Sequence, residues 1–405
     1  MGRKIMKRFL VLLFVVSLIW AVGGCAKKKL VPISAEDNPA HHYLLGMDLI
    51  EKGDWSEASV RFDRAIALEQ DYAPAMAGLA LVSALKAETG KDRDHQEVDL
   101  KKALEMLDNA EDEAEGDSQK FSVRVTGIRV YMNARPKKWL KKAENYYKKA
   151  LKLSDVKTEE LPYYRSIDAA HYFMGAAYFS ALQFQNAENA LGKVLGSTPG
   201  KWHDKANALY KRIQKIIRAS ANFTLTGVAK KIAVKNEVSR ADVAALLVDE
   251  LHLDRLLAGR IPVPEKKEKN PFVPADIQNN LFKPEILIAL KWGLRGLEPT
   301  YDQTSRAYLF YPNKPVNRKE LAFILEDVLM KITGEKDLAT RYFGQKNSPY
   351  PDVPTTSSYF NAVMNVVSRG LMEPDLSGAF RPDAYVDGAE LLLAVMRLRN
   401  VMNIH

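Results

Sequence analysis

Apolar residues recur three and four positions apart almost without a break from residue 39 to residue 215. This spacing places them on one face of an α-helix, and β-branched alternating runs are scarce. Two stretches share one pattern, in which a glycine is followed at the same intervals by apolar or small residues. A small residue lets two antiparallel helices approach closely, and a large residue then fills the groove between them. The two sets are Gly46, Leu49, Ala58, Phe62 and Ala65, and Gly175, Tyr178, Ala187, Leu191 and Val194.

Both stretches resemble the tetratricopeptide repeat (TPR), a helix-turn-helix unit of about 34 residues. The family's small residue at the close crossing matches Ala58 and Ala187. Its closing proline matches Pro199, whereas Gln70 stands at that position in the first stretch. Looser copies lie between the two, so we expect about three or four repeats over residues 39–220. The resemblance implies a protein-binding scaffold, because stacked helix pairs leave a concave groove for a partner protein.

The formal charge of +9 is spread along both halves of the chain, which argues against a nucleic-acid partner. One stretch of the predicted array is nevertheless rich in lysine. A solvated helix face is one interpretation of this stretch, and a site for an acidic partner is the other. The lysines are Lys137, Lys138, Lys141, Lys142, Lys148, Lys149 and Lys152.

A different repeat follows residue 221, where proline and glycine become more frequent. Three segments align without gaps, and each has an N-cap residue, an acid three residues later and apolar residues at helical spacing. The acid can accept a hydrogen bond from the backbone N–H of the cap, which makes a capping box, and it places negative charge at the positive end of the helix. The caps and their acids are Ser239 and Asp242, Asn317 and Glu320, and Asp387 and Glu390.

The last two copies also share a front half, an apolar helix that ends in Arg-Gly-Leu with a proline soon after. Glycine at a helix end and proline beyond it are typical C-terminal signals. The repeating unit is therefore a helix, a loop with a short extended Phe-x-Pro piece, and a capped helix. The first copy keeps only its back half, and we expect the helix that ends near Ala219 to supply its front helix.

This unit resembles the S-layer homology (SLH) domain. The resemblance covers residues 221–405, with copies at about 221–258, 272–333 and 348–402. In that family three copies pack as a pseudo-threefold bundle. Their grooves bind cell-wall polysaccharide, which is often acidic.

The family's Thr-Arg-Ala-Glu motif contributes an arginine to the groove, and the matching residues are Arg240 and Arg318. The planar guanidinium suits a carboxylate, which it can bind through two hydrogen bonds. Gly388 stands at the third position, so the third copy lacks this contact. Trp292 and Tyr359 are candidates for stacking on sugar rings. The alternatives are a solvated first helical turn for the two arginines and a core position for Trp292.

The first residues indicate export. Four cations precede an apolar run from Phe9 to Val22, which is short for a hydrocarbon core of about 30 Å and typical of a signal peptide. The run ends in Val-Gly-Gly-Cys, which resembles the lipobox of bacterial lipoproteins. The resemblance implies a signal peptide over residues 1–24, a lipid on Cys25 and a linker over residues 25–38. An uncleaved anchor helix is the alternative interpretation.

Cys25 is the only cysteine, so no intramolecular disulfide can form, and lipidation gives a lone exported cysteine a role. In the lipoprotein sorting pattern an aspartate after the cysteine retains the protein in the inner membrane. Ala26 at that position therefore indicates the outer membrane.

We therefore predict an all-α chain, with a TPR-like helical-hairpin array followed by a pseudo-threefold helical bundle with short extended segments. The predicted function is a lipid-anchored cell-envelope adaptor that binds a partner protein through the array and envelope polysaccharide through the bundle. The alternative is an accessory factor of an outer-membrane secretion or export complex that acts only through protein contacts. Because no metal-ligand spacing, phosphate loop or nucleophile elbow is present, we expect no enzyme, cofactor or metal site.

Overall fold

The computed structural model of the chain describes residues 31–89, 93–259 and 272–401. The predicted signal peptide and the lipid site at Cys25 lie outside the described residues. The described chain is helical apart from connecting loops and one two-stranded antiparallel sheet, so the prediction of an all-α fold is confirmed. The helices are α1 Pro39–Lys52, α2 Trp55–Leu68, α3 Ala73–Thr89, α4 Arg93–Glu113, α5 Gly116–Ala134, α6 Trp139–Ala150, α7 Asp168–Ser180, α8 Phe184–Leu195, α9 His203–Ser220, α10 Gly227–Ala233, α11 Arg240–Leu251, α12 Leu253–Ala258, α13 Lys283–Lys291, α14 Arg318–Thr333, α15 Phe360–Ser368 and α16 Gly388–Val401.

Short elements complete the list. Three 3₁₀ turns cover Thr158–Glu160, Ala275–Ile277 and Lys336–Ala339, and the strands are β1 Thr300–Asp302 and β2 Ala307–Leu309. Among the described residues, no helix combines the length and the apolar character that crossing a membrane requires.

These elements form two compact units. Within the described residues, the first unit consists of residues 31–136 and 152–165, and the second of residues 137–151 and 166–401. The predicted boundary between residues 220 and 221 falls inside the second unit, where α9 packs against both α8 and α16.

Antiparallel helix pairs build the first unit, with α1 packed on α2 and α3 packed on α4. The ring of Phe62 on α2 fills the space between α1 and α3. A Cβ atom built on Gly46 of α1 would lie 2.5 Å from this ring, and one on Gly78 of α3 would lie 2.6 Å from it. The predicted pairing of a small residue with a large one at a close helix crossing is therefore confirmed.

The segment over residues 152–165 contributes buried tyrosines to the first unit. Tyr163 and Tyr164 are fully buried. The Tyr163 hydroxyl donates a hydrogen bond to Glu51 of α1 at 2.5 Å, and the Tyr164 hydroxyl lies 2.7 Å from the hydroxyl of Thr126 on α5. This segment thereby connects the first and last helices of the unit.

The second unit begins with further helix pairs, in which α6 packs on α7, α7 on α8 and α8 on α9. Gly175 of α7 repeats the close crossing of the first unit, because a Cβ atom there would lie 2.7 Å from Leu191 of α8. The array therefore leads directly into the C-terminal bundle through α9.

Three helix pairs build the C-terminal bundle in cyclic order, since α13 packs on α11, α15 on α14 and α9 on α16. The N-cap lies nineteen residues after the front helix in both the first copy, from Ser220 to Ser239, and the third, from Ser368 to Asp387. Helix α9 is thus the front helix that the first copy lacks in its own sequence repeat.

A closed ring of backbone hydrogen bonds joins the three copies. The N–H of Val238 donates to Val386, that of Val386 to Val316, and that of Val316 to Val238, at 2.9 to 3.0 Å. All three valines are buried and each directly precedes an N-cap. This ring gives the bundle its pseudo-threefold arrangement and brings three helix starts together.

Candidate functional site

Two of the helix starts carry complete capping boxes. At α11 the Ser239 hydroxyl accepts from the N–H of Asp242, and the Asp242 carboxylate accepts from the N–H of Ser239 at 2.9 Å. At α14 Asn317 and Glu320 make the same two bonds, each 3.0 Å long. Because these side chains satisfy backbone donors at the helix start, they fix where each helix begins.

The third helix start uses its acid differently. The Asp387 carboxylate accepts from the N–H of Glu390 at 2.8 Å, as the N-cap of α16. The carboxylate of Glu390 forms an ion pair with the guanidinium of Arg318, which comes from the second copy. This acid therefore links two copies.

Arg318 reaches from the second copy into the third. Its guanidinium donates to the carbonyl oxygen of Phe380 at 2.6 Å and to that of Glu373 at 2.7 Å, and it lies 4.6 Å from the centre of the Phe380 ring. Its side chain is 3% exposed, and burial lowers its pKa to about 10. Arg318 thus acts as a clamp that holds the second and third copies together. Its side chain also lines the groove described below.

Arg240 makes the matching contacts from the first copy into the second. Its guanidinium donates to the carbonyl oxygens of Phe310, Gly296 and Glu298 at 2.8, 2.5 and 2.9 Å. It also lies 4.8 Å from the centre of the Phe310 ring, and burial lowers its pKa. The two arginines therefore hold equivalent carbonyl groups of the following copy.

An aspartate positions each Phe-x-Pro piece for this contact. Asp276 accepts from the N–H of Phe310 at 3.0 Å and from the next N–H at 2.6 Å. Asp352 makes the same pair of bonds to Phe380 and the following residue, at 2.8 and 2.6 Å. Since the carboxylates hold the backbone, the phenylalanine carbonyls face the arginines.

Gly388 replaces the arginine at the third helix start for a steric reason. A Cβ atom on Gly388 would lie 1.8 Å from the carbonyl oxygen of Ile232, at the end of α10. The N–H of Gly388 donates to Lys235 at 2.9 Å. The third junction is therefore closed by direct backbone contact, which only glycine allows.

The two aromatic candidates differ in exposure. Trp292 is 6% exposed, and its indole N–H donates to Asp254 at 2.7 Å, so it belongs to the core between α12 and α13. Tyr359 is half-buried at the start of α15, and the ammonium of Lys319 lies 5.6 Å from the centre of its ring. The structure therefore does not bring these two rings together with one arginine.

A groove lies beside the Arg318 clamp, between α9 and the loop of the third copy. It encloses about 840 Å³, which falls in the range of small-ligand sites. Helix α9 forms one wall, and the loop over residues 371–377 together with the start of α16 forms the other. The polar lining residues used below are Tyr210, Lys211, Lys215, Arg218, Arg318, Glu373, Asp375, Arg381, Glu390 and Arg397.

The third copy, which forms one wall of this groove, has a recognisable sequence. Residues 349–392 match the family model of the S-layer homology domain. This match points to attachment at the cell envelope or surface, where such domains commonly bind cell-wall polysaccharides. No curated protein and no solved structure matches the chain significantly. The TPR resemblance and the lipid anchor stay predictions.

Cations outnumber acids around the groove of the SLH copy. Glu373 forms ion pairs with Arg397 and Arg218, and Asp375 lies 3.6 Å from Arg381. Burial opposes the ionisation of Glu373, but the hydrogen bond and charge of Arg397 outweigh it, so the pKa of Glu373 lies below its usual value. These acids order the loop and leave part of the positive charge uncompensated.

Two lysines of α9 supply that excess charge. Lys211 is exposed and pairs with no carboxylate among the described residues. Lys215 is half-buried, lies 3.8 Å from the Asp387 carboxylate, and has its pKa lowered by burial. Sequence reasoning missed both residues, although the spacing of Lys211, Lys215 and Arg218 by four and three positions places them on one helix face.

The second copy carries a feature that the third lacks. The β1–β2 hairpin places Tyr301 directly opposite Tyr308, with ring centres 5.3 Å apart, and Phe272 packs edge-on against Tyr308. The three side chains are 50 to 55% exposed. Cross-strand aromatic pairs stabilise a two-stranded sheet, which accounts for the pair of tyrosines.

Within the described residues, no group of three or more histidine, cysteine, aspartate or glutamate side chains is arranged to hold a metal ion. The buried carboxylate of Glu326 accepts from the side-chain amides of Asn361 and Asn365 at 2.6 and 2.7 Å and pairs with Arg295. These bonds join α14 to α15, so Glu326 has a structural role.

Proposed function

We propose that the protein is a cell-envelope adaptor in which the groove between α9 and the third SLH copy binds an acidic polysaccharide. A lipid on Cys25 would tether the chain to the membrane, and the helical array would bind a partner protein. The proposal contains no catalytic step.

The observation that carries the proposal is the uncompensated positive charge of a groove of ligand size. Lys211 and Lys215 project from α9, and Arg381, which is 57% exposed, faces them from the third copy. Clefts lined by one sign of charge raise the local concentration of ligands of the opposite sign. A carboxylate-bearing sugar would pair with Lys211 and would add a second anionic partner to Lys215 and Arg381, whose own carboxylate partners lie 3.8 and 3.6 Å away.

The remaining lining fits a sugar ring. Tyr210 is half-buried in the groove and offers an aromatic face. Burial lowers the pKa of Lys215, and a carboxylate of the ligand beside it would favour its charged form again. Charge selection and ring stacking together would select an acidic sugar over a neutral one.

Retention on isolated cell-wall sacculi that carry their polysaccharide tests the proposal. We expect Lys215→Gln combined with Arg381→Gln to weaken retention about tenfold, since two charged hydrogen bonds contribute about 1.5 kcal/mol or more. The matched control is Lys193→Gln combined with Lys346→Gln, which removes the same charge from exposed positions outside the groove. Equal retention of the two variants, or no retention of the wild type, would contradict the proposal.

One observation favours the rival, in which the bundle is only a packing module of a secretion or export accessory factor. The guanidinium groups of Arg240 and Arg318 are largely used by backbone carbonyls of the next copy. The rival expects the protein to co-purify from solubilised envelopes in a discrete protein complex without polysaccharide. Loss of that complex after enzymatic removal of the polysaccharide would exclude it.

A further inference from the structure

A second positively charged surface lies on α6 and on the two residues that precede it. It consists of Lys137, Lys138, Lys141, Lys142 and Lys148, which we call the α6 lysine face. All five side chains are exposed, and none of them pairs with a carboxylate among the described residues. A shallow depression of about 440 Å³ runs between Lys138, Lys141, Lys142 and Lys148.

Other side chains of α6 pack inside the protein, and their contacts fix the direction in which the α6 lysine face points. Ala143, Tyr146 and Ala150 are buried. Tyr147 bonds to the imidazole of His171 on α7 at 2.7 Å. The acid of the helix, Glu144, accepts from the hydroxyl of Tyr178 at 3.2 Å. That carboxylate also lines the depression and keeps its negative charge, so it offsets one of the five lysine charges and leaves the face positive.

The lysines repel one another as the helix arranges them. Lys137 and Lys138 directly precede α6, and Lys141 and Lys142 lie in its first turn, so four like charges stand close together at one end of the helix. They also lie at the helix N-terminus, where the dipole disfavours cations. A bound polyanion would relieve both effects.

The lining of the face indicates what kind of polyanion fits. Protein interfaces have an apolar core with aromatic anchors, and this face presents ammonium groups instead. The lysine ammonium is a flexible point charge, whereas the arginine guanidinium is a planar fork. A set of lysines therefore suits a polymer with repeated charges better than a single anion of fixed shape. A linear anionic polymer is therefore favoured over a folded protein.

We propose that the α6 lysine face is a second docking surface for the acidic polysaccharide of the groove. This inference rests on the proposed function. Helices α6, α7, α8 and α9 pack in succession, so the axes of α6 and of α9, which forms the groove wall, lie roughly 30 Å apart. One polymer chain that occupies the groove is thereby held at high effective concentration near the face.

Polysaccharide released from the sacculi and separated by length distinguishes the two sites. Fragments shorter than about 30 Å occupy the groove alone, and longer chains reach both sites. We expect Lys138→Gln with Lys141→Gln and Lys142→Gln to weaken binding of long chains about tenfold and to leave short fragments unaffected. The salt dependence, as the slope of log K against log salt, should become shallower by about 2.

The matched control replaces Lys193, Lys231 and Lys336 by glutamine, which removes the same net charge from exposed positions of the same unit. Equal losses in the two triple variants would overturn the inference. So would tighter binding of poly-L-glutamate or of phosphatidylglycerol vesicles than of the long polysaccharide. If short fragments fail to bind the wild type, the proposed function fails, whereas an unchanged preference for long chains in the α6 variant contradicts this inference alone.

Discussion

The junction closed by Arg318 and the junction closed by Gly388 occupy equivalent positions of one pseudo-threefold ring, yet they use opposite means. Arg318 spans the distance to the third copy with a long side chain that donates to two carbonyls and pairs with Glu390. Gly388 has no side chain, and the backbone of Ile232 comes directly against it.

The difference follows from what precedes each capped helix. In the second and third copies the predicted extended Phe-x-Pro piece is instead a bend, because its middle residue, Tyr311 or Arg381, has a positive φ, and it leaves room that an arginine fills. In the first copy the helix α10 takes that place and ends at Ala233. The same ring of valine hydrogen bonds thus tolerates either a charged clamp or direct backbone contact, provided that each helix start stays in place.

Removing the Arg318 clamp should have the largest effect. We expect Arg318→Ala to lower the free energy of unfolding by about 4 kcal/mol, because it leaves Glu390 without its buried partner. Arg240→Ala should cost about 2 kcal/mol, since Arg240 donates to carbonyls and, within the part of the chain that the structure describes, pairs with no carboxylate. Urea titration of the purified protein measures both values. Equal losses would mean that the ion pair with Glu390 contributes nothing.

Adding a side chain at Gly388, in the third junction, should have the next largest effect on the free energy of unfolding. Gly388→Ala places a methyl group against the Ile232 carbonyl, and we expect a loss of about 3 kcal/mol by the same titration. Gly192→Ala on the exposed side of α8 is the control, because nothing lies within 4 Å of its added Cβ. That variant should gain about 0.5 to 1 kcal/mol through the helix preference of alanine. An unchanged free energy of unfolding in Gly388→Ala would show that the third junction can accommodate a methyl group.

The smallest effect concerns pH at the clamped junction. The pKa of Glu373 is lowered, so its ionised form stabilises the folded state above the usual glutamate pKa, and this contribution is lost as the pH falls through the lowered value. Because the pair is partly exposed, we expect less than about 1 kcal/mol. Glu373→Gln should therefore flatten the fall in melting temperature below about pH 4.5. A steeper fall of the melting temperature in the variant would show that the ionised form of Glu373 does not stabilise the folded state.

The helices, the caps and the close crossings could be predicted from the sequence because they depend on local chemistry. Ser239 and Asn317 cap their own helices, and glycine at a crossing follows from helical spacing. The groove could not be predicted, because Lys215 and Arg381 are 166 positions apart and only the packing of α9 on α16 brings them together.

The sequence by itself determined where helices start and which faces are apolar, since capping and amphipathic spacing act within a few residues. Only the tertiary structure decided that α9 completes the first copy, that the arginines clamp the next copy, and that Gly388 must lack a side chain. Those features depend on distances between segments far apart in the chain, which local patterns do not encode.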